Sequence, residues 1–107
     1  MVFLESLLFS SKIYTIVDDD EYAALQDYLS QHPESGAIIR GSKGIRKVRW
    51  SVEGKGKRGG ARVIYYWHVS DHQILMIDVY RKSEKEDLTP QEIKLFQELV
   101  YDFIRHE

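Results

Sequence analysis

Hydrophobic residues recur along the chain with two periods, one typical of helices and the other typical of strands. Tyr22, Leu25 and Leu29 are three and four residues apart, as on one buried face of a helix. The aspartates at positions 18–20 precede them and supply an N-cap and favourable charge at the helix start. We predict that this helix ends at His32, because the residue before a proline is disfavoured in the helical region.

Two further helices are predicted near the ends of the chain. Residues 2–4 favour a short strand, and the apolar stretch at residues 6–13 predicts one or two helical turns after it. Residues 89–92, Thr-Pro-Gln-Glu, form a capping box with proline at the first helical position. The helix that follows has an apolar stripe made of Ile93, Phe96, Leu99, Val100 and Phe103.

Three β segments are predicted between these helices, at residues 45–52, 61–69 and 73–80. The last segment predicts two rows of side chains, with Leu75, Ile77 and Val79 on one face and Ile74 and Met76 on the other. The connections are predicted as a loop at residues 35–44, a glycine-rich hairpin tip at 54–60 and a tight turn at 71–72. The fold class is therefore α+β, with N-terminal helices followed by an antiparallel β-meander sheet and a C-terminal helix.

Length and composition indicate one globular domain, residues 1–107. A hydrophobic content of 43% is enough for a core and argues against disorder. The absence of cysteine excludes disulfides and thiolate metal sites. The N-terminus lacks a basic region and a cleavage site, and no apolar run reaches the roughly 20 residues of a membrane span. We expect a cytoplasmic protein without membrane contact.

Charge is distributed very unevenly along the chain. Residues 40–62 carry a formal charge of +8, whereas the whole chain is −2 and the remainder is therefore −10. This window has one acid, Glu53, and nine of the fifteen basic residues: Arg40, Lys43, Arg46, Lys47, Arg49, Lys55, Lys57, Arg58 and Arg62. One strongly cationic element on an acidic body predicts binding of a polyanion.

The cations on strands are the more informative ones. Lys47 and Arg49 are two residues apart in a predicted strand, so both project from one sheet face. Arg62 opens the next strand and lies beside them if the hairpin closes. Like charges side by side destabilise a sheet, which indicates an anionic partner such as a nucleic-acid phosphate. Alternation also places Tyr66 on the face of Arg62, where its ring could stack on a base.

Other motifs favour structural interpretations. The hairpin tip matches G-x-G-x-x-G, but a strand follows it rather than a helix, which argues against a dinucleotide site. Its cations Lys55, Lys57 and Arg58 can instead follow a phosphate backbone. The acids at positions 18–21 fit a helix cap better than a Mg²⁺ site, and the four histidines show no metal-ligand spacing. No cofactor or metal is predicted.

Two segments carry a resemblance to a known family: GKGKRGGARVIYY at residues 54–66 and YRKSEKEDL at residues 80–88. With VFLES near the N-terminus and the DLTPQE helix start, they resemble HigB-type toxins of the RelE/ParE superfamily over nearly the whole chain. The resemblance implies a RelE/ParE-like fold and the toxin half of a type II toxin–antitoxin pair. Its implied partner is a HigA-like antitoxin with a helix-turn-helix domain.

The activity implied by this resemblance is cleavage of messenger RNA in the ribosomal A site, by attack of the 2′-hydroxyl and without a metal. Four residues match the family's basic positions around the scissile phosphate: Lys47, Arg49, Arg62 and Lys82. Neighbouring cations favour loss of a proton from a lysine, so Lys47 is the candidate base. The residues expected to contact messenger or ribosomal RNA are Lys43, Arg46, Lys55, Lys57 and Arg58.

The chain departs from the family pattern at the acid–base position. The C-terminal tyrosine of some relatives aligns near Leu88, and the C-terminal histidine of others has only His106 as a counterpart. Tyr66 or Tyr80 is the candidate replacement, and Tyr66 is placed with the catalytic cations.

Two other functions remain open at this point. One is a non-nucleolytic gyrase inhibitor of the ParE branch, against which the strand cations argue. The other is a basic RNA-binding module without catalysis.

Overall fold

The computed structural model describes residues 1–51 and 60–105. In chain order the elements are β1 (Val2–Glu5), α1 (Leu7–Ile16), α2 (Asp19–Gln31), β2 (Ala37–Ile38), β3 (Ile45–Trp50), β4 (Ala61–His68), a 3-10 turn (Val69–Asp71), β5 (Gln73–Arg81) and α3 (Pro90–Arg105). The strands form one mixed sheet in the order β1-β5-β4-β3-β2. The α+β fold class is thereby confirmed.

The sheet is wider than the predicted meander. Strands β3, β4 and β5 are antiparallel neighbours, as predicted, but β1 pairs in parallel with β5 and forms one edge. The other edge is β2, which pairs with Lys47 and Arg46 of β3. This segment was wrongly predicted as loop, because a strand of two residues has no periodicity to detect.

Local hydrogen bonds begin each helix where the sequence indicated. The side chain of Asp18 accepts from the backbone N–H of Glu21, whose carboxylate accepts from Asp18 N–H in return. Thr89 and Glu92 form the same reciprocal pair at the start of α3. The helix α2 ends at Gln31 with His32 as its C-cap, as predicted, whereas α1 extends to residue 16, three residues beyond the prediction.

The sheet separates two hydrophobic clusters. The cluster under α1 and α2 contains Phe9, Ile13, Leu25 and Leu29, packed against side chains such as Tyr65. The cluster under α3 contains Ile45, Ile64, Leu75, Ile77, Tyr80, Phe96 and Val100. The helical faces predicted from the spacing of apolar residues in α2 and α3 are therefore the buried faces.

A β-bulge interrupts the pairing of β4 with β5. Ile64 pairs with Asp78 but Tyr65 pairs with Met76, so Ile77 has no partner across the strand. Beyond the bulge the alternation of β5 is reversed, and Val79 joins the face of Met76 under α1 and α2. The predicted row of Leu75, Ile77 and Val79 is therefore wrong in its last member. The bulge also turns Tyr80 to the α3 face.

A buried ion pair holds this bulge. The carboxylate of Asp78 is almost fully buried and accepts from the backbone N–H of Val79 at 2.8 Å. The same oxygen accepts from Nζ of Lys12 on α1 at 2.7 Å. No helix in the described ranges is long and apolar enough to cross a membrane.

Candidate functional site

Four cations predicted from the sequence converge on the α3 face of the sheet, near the ends of the strands. Arg49 of β3 lies directly opposite Arg62 of β4, and Arg62 lies opposite Tyr80 of β5. Lys47 is two residues before Arg49 on the same face. Lys82 follows β5, and its backbone N–H donates to the carbonyl of Gly60 at 3.0 Å.

Two adjoining cavities share Arg49, Arg62 and Lys82 in their walls. One, of about 470 Å³, is also lined by Lys47, Ala37 and Glu86. The other, of about 510 Å³, is also lined by Trp50, Ser51, Gly60 and Ser83. We call the space around Lys47, Arg49, Arg62 and Lys82 the cationic cleft.

Arg62 is the cation at the bottom of this cleft. Only 8% of it is exposed, and its guanidinium donates to the carbonyl of Ala61 at 3.4 Å. No carboxylate of the described residues lies within ion-pair distance of it. A buried and unpaired charge is costly, so an anion that enters the cleft gains a strong electrostatic partner.

Two carboxylates lie at the rim of the cleft, in the segment between β5 and α3. Asp87 pairs with Nζ of Lys47 at 3.1 Å and accepts from the backbone N–H of Leu88 at 2.9 Å. The hydrogen bond from Lys47 lowers the pKa of the Asp87 carboxyl, and the bond from Leu88 adds to this. Glu86 lines the cavity that contains Lys47 and forms no ion pair with any residue in the described part of the chain.

Sequence reasoning missed both carboxylates. Asp87 and its neighbour Glu86 both belong to the segment YRKSEKEDL, which carried the family resemblance. That motif was the available signal. The ion pair itself joins residues 40 positions apart, which no local pattern indicates.

Tyr80 lies beneath the cleft, beside Arg62. Its hydroxyl is buried and has no hydrogen-bond partner among the residues the structure describes. Burial is the main reason why the pKa of this phenol is raised to about 12, with Asp87 and Asp78 adding to the effect. The phenol is therefore protonated at neutral pH. The ammonium of Lys85 lies 5.2 Å from the centre of its ring.

The structure does not bring Tyr66 to the cationic cleft. Its partner across the strand is Ile45, and it lines a small cavity near α3 together with Val100 and Tyr101. Lys43 lines the same small cavity.

Arg46 points to the opposite face of the sheet from Lys47. Its guanidinium donates to the carbonyls of Glu34 at 3.0 Å and Gly36 at 2.7 Å, which anchors the loop after α2. The predicted RNA contacts Lys55, Lys57 and Arg58, and the candidate His106, lie outside the described residues.

The described ranges contain no group of three or more His, Cys, Asp or Glu side chains that could hold a metal ion. The cleft itself combines cations with carboxylates at its rim. Such a set can bind a phosphodiester, stabilise extra charge on it and exchange protons with it.

Comparison with protein families agrees with this chemistry. A family model described as the RelE toxin of the RelE / RelB toxin–antitoxin system matches residues 16–106. The chain belongs to the RelE toxin family. This RelE toxin is therefore the toxin of a toxin–antitoxin system, and toxins of the family generally inhibit translation by cleaving messenger RNA. The match includes all four cations of the cleft.

Proposed function

We propose that this RelE toxin is a ribosome-dependent endoribonuclease that cleaves translated mRNA in the ribosomal A site without a metal. The observation that carries the proposal is the convergence of Lys47, Arg49, Arg62 and Lys82 on one cleft. We further propose that the toxin is of the HigB type, acts in the cytoplasm and is neutralised by a HigA-like antitoxin, as its sequence resemblance implies.

In the proposed reaction the 2′-hydroxyl oxygen attacks the adjacent phosphorus, and the bond from phosphorus to the 5′ oxygen breaks. The products are a 2′,3′-cyclic phosphate and a 5′-hydroxyl. The pentacoordinate phosphorane between them carries more negative charge than the substrate. Arg62 and Arg49 would stabilise that charge most strongly, since a guanidinium offers paired donors to phosphate oxygens.

A base must take the 2′ proton, and Glu86 is the better candidate than Lys47. The ammonium of Lys47 is held by Asp87, so its proton is engaged in an ion pair. Glu86 lines the same cavity and has an acceptor carboxylate without an ion pair in the described ranges. Lys47 would then contact the phosphate as a cation.

An acid must protonate the leaving 5′ oxygen. Lys82 lines both cavities of the cleft and is exposed, so its ammonium can reach a bound phosphodiester. Tyr80 lines neither cavity. The described part of the cleft holds no histidine, which fits a reaction that depends on the ribosome to position the RNA for attack. Lys55, Lys57 and Arg58 remain our candidates for ribosomal RNA contact.

The matched pair Arg49→Ala and Arg40→Ala tests the site. Both residues are exposed and both changes remove one charge from the cationic window, but only Arg49 lines the cleft. We expect Arg49→Ala to slow mRNA cleavage on translating ribosomes at least about a hundredfold, while Arg40→Ala stays near wild type. Cleavage is measured by primer extension of transcripts after induction. Intact mRNA with a DNA-damage response in the wild type would instead support gyrase inhibition, and intact mRNA without one would support RNA binding alone.

The variant Glu86→Gln tests the assignment of the base. It keeps the shape of the side chain but removes its proton acceptor. We expect the rate of single-turnover cleavage to fall about 10²- to 10⁴-fold. A rate near that of the wild type in Glu86→Gln would rule out Glu86 and return the role of base to Lys47.

A further inference from the structure

A third cavity adjoins the cationic cleft on the side of α2. It is lined by Asp20, Glu21, Ala24, Arg49, Trp50 and Ser51, and its volume is about 510 Å³. We call it the lateral cavity. It shares Arg49, Trp50 and Ser51 with the cleft, so the two spaces form one groove.

The edge of the sheet explains why side chains from both faces line this groove. Arg49 and Trp50 are consecutive in β3 and therefore point to opposite faces. The short strand β2 pairs only with Arg46 and Lys47, so it does not extend along the last residues of β3. A groove that crosses this edge can contact both Arg49 and Trp50.

The indole of Trp50 is packed on one side only. It is half-buried against the core under α1 and α2, and its ring centre lies 5.7 Å from that of Tyr28 at an interplanar angle of 50°. The remaining surface of Trp50 borders both the cleft and the lateral cavity. Proteins commonly stack the bases of single-stranded RNA on an aromatic ring that lies beside cations.

Charge determines which part of a nucleotide each end of the groove would accept. The end with Arg49, Arg62 and Lys82 attracts a phosphate. The far wall of the lateral cavity carries the carboxylates of Asp20 and Glu21, which repel one. A nucleobase is uncharged and flat, and it fits an apolar surface made by Trp50 and the methyl group of Ala24.

We propose that the lateral cavity is a nucleobase subsite, in which the base next to the reacting phosphate stacks on Trp50. The proposal rests on the proposed function for the identity of that phosphate. It adds a residue that determines which nucleotide is held and how firmly. Trp50 positions the RNA and takes no part in proton transfer.

The first test fills the subsite from α2. Ala24 and Ala23 are both exposed on this helix, but only Ala24 lines the lateral cavity. Ala24→Leu should lower kcat/KM for cleavage on ribosomes about tenfold and change the distribution of cleavage sites, because base stacking is lost. Ala23→Leu makes the same substitution one position away and should leave kcat/KM and the distribution of cleavage sites unchanged.

The second test needs neither ribosomes nor catalysis. The chain has two tryptophans, and the buried indole N–H of Trp67 has no partner among the described residues, so Trp67→Phe is a mild change that leaves Trp50 as the reporter. A short single-stranded RNA should quench the fluorescence of Trp50 at low salt. An oligomer of abasic phosphate spacers with the same length and charge should bind without quenching.

The two tests separate the subsite from the proposed function. Equal quenching by the RNA and the abasic oligomer overturns the subsite, whatever the cleavage assay shows. Quenching by RNA alone, in a protein that cuts no mRNA on ribosomes, retains the subsite and overturns the endonuclease. If Ala24→Leu and Ala23→Leu cleave alike, Trp50 does not position the substrate.

Discussion

Arg62 and Tyr80 are neighbours across β4 and β5, and both are buried. The Arg62 guanidinium donates only to the carbonyl of Ala61 among the described residues, and the Tyr80 hydroxyl has no partner among them. Each such group lowers the stability of the fold, because it has lost its water and gained no equivalent contact. For Arg62 the proposed function supplies a reason for this cost, since the residue lines the cleft. For Tyr80 the structure shows no such reason, because its hydroxyl does not line the cleft.

Removing the hydroxyl of Tyr80 should therefore stabilise the protein. We expect Tyr80→Phe to raise the free energy of unfolding by about 1 kcal/mol and to retain mRNA cleavage. Denaturant unfolding and primer extension measure the two effects. Tyr101→Phe is the control, because Tyr101 is 62% exposed and should show no change in stability. Loss of cleavage in a stable Tyr80→Phe would identify this phenol as the proton donor.

The same substitution should alter unfolding at alkaline pH. Burial raises the pKa of Tyr80 to about 12 from an ordinary value near 10, so the folded state holds the proton more firmly than the unfolded state. The free energy of unfolding therefore does not depend on this phenol's ionisation below pH 10, and it falls as the pH rises from 10 through 12 because the unfolded state loses the proton first. Tyr80→Phe should lose less stability than wild type across that interval.

Asp87 forms an ion pair with Lys47, one of the cations that we propose contact the RNA. An exposed ion pair such as Lys47–Asp87 contributes about 0.2–1 kcal/mol, so its removal should strengthen binding of single-stranded RNA by up to about fivefold. We expect this of Asp87→Asn in a fluorescence titration at low salt. Asp27→Asn removes the same charge from the exposed surface of α2 and is the control. Equal gains in both variants would mean that only net charge matters.

Much of the cleft could be predicted from individual residues. Alternation along two strands was enough to place Lys47, Arg49 and Arg62 together. Lys82 was predicted from the family resemblance alone. The bulge in β5 determines the face of the sheet on which Lys82 lies, and the pattern of hydrophobic residues does not reveal that bulge. Trp50 was missed as a wall of the groove, because alternation assigns it to the opposite face and cannot show where the neighbouring strand stops.

At the scale of elements, the bulge in β5 is what connects the fold to the cleft. Without the extra residue, Tyr80 and Lys82 would face α1 and α2. The carboxylate of Asp78 is bound both to the bulged backbone and to Lys12 of α1. The contact with α1 on one face of the sheet thereby supports the bulge that places Lys82 on the other face.

The two partners of this ion pair should differ in their effects on stability. Asp78 is 1% exposed, so Lys12→Ala leaves a buried carboxylate without its cation and should cost about 2–4 kcal/mol. Asp78→Asn retains an acceptor for Val79 N–H, and Lys12 can turn to water, so its cost should be nearer 1 kcal/mol. Denaturant unfolding compares the two. Equal losses would show that the charge of Asp78 does not need Lys12.

Elements with strong local signals were predicted well, and those held by long-range contacts were not. The capping boxes of α2 and α3 lie within four consecutive residues, so the sequence alone located both helix starts. The edge pairing of β1 with β5 joins segments that are far apart in the sequence, such as Val2 and Gln73, and no local rule specifies its parallel direction. The strand β2 depends on the position of β3 and on Arg46, which holds the preceding loop.

At the scale of the whole molecule, charge is segregated. Residues 40–62, which include Lys47, Arg49 and Arg62 of the cleft, carry +8, whereas the rest of the chain carries −10. Contact with RNA should therefore be restricted to one side, although the net charge of the chain is only −2.

The salt dependence of RNA binding should reveal whether the cations of the cleft contact the RNA. Affinity for single-stranded RNA should fall with salt, and Arg49→Ala should reduce the slope of log K against log salt by about 0.7, the contribution of one phosphate contact. Lys94→Ala removes a charge from the exposed surface of α3 and should leave the slope unchanged. If both variants change the slope equally, long-range attraction rather than contact in the cleft controls binding.

The direct opposition of Arg49 and Arg62 has a consequence for handling the protein. Two like charges on paired strands repel each other, and an anion between them relieves the repulsion, so the toxin should be more stable with an anion in the cleft than without one. Any anion that enters the cleft raises the melting temperature by mass action, including the phosphate or sulfate of a buffer. Stabilities measured in phosphate and in an amine buffer will therefore differ, and the difference itself measures occupation of the cleft.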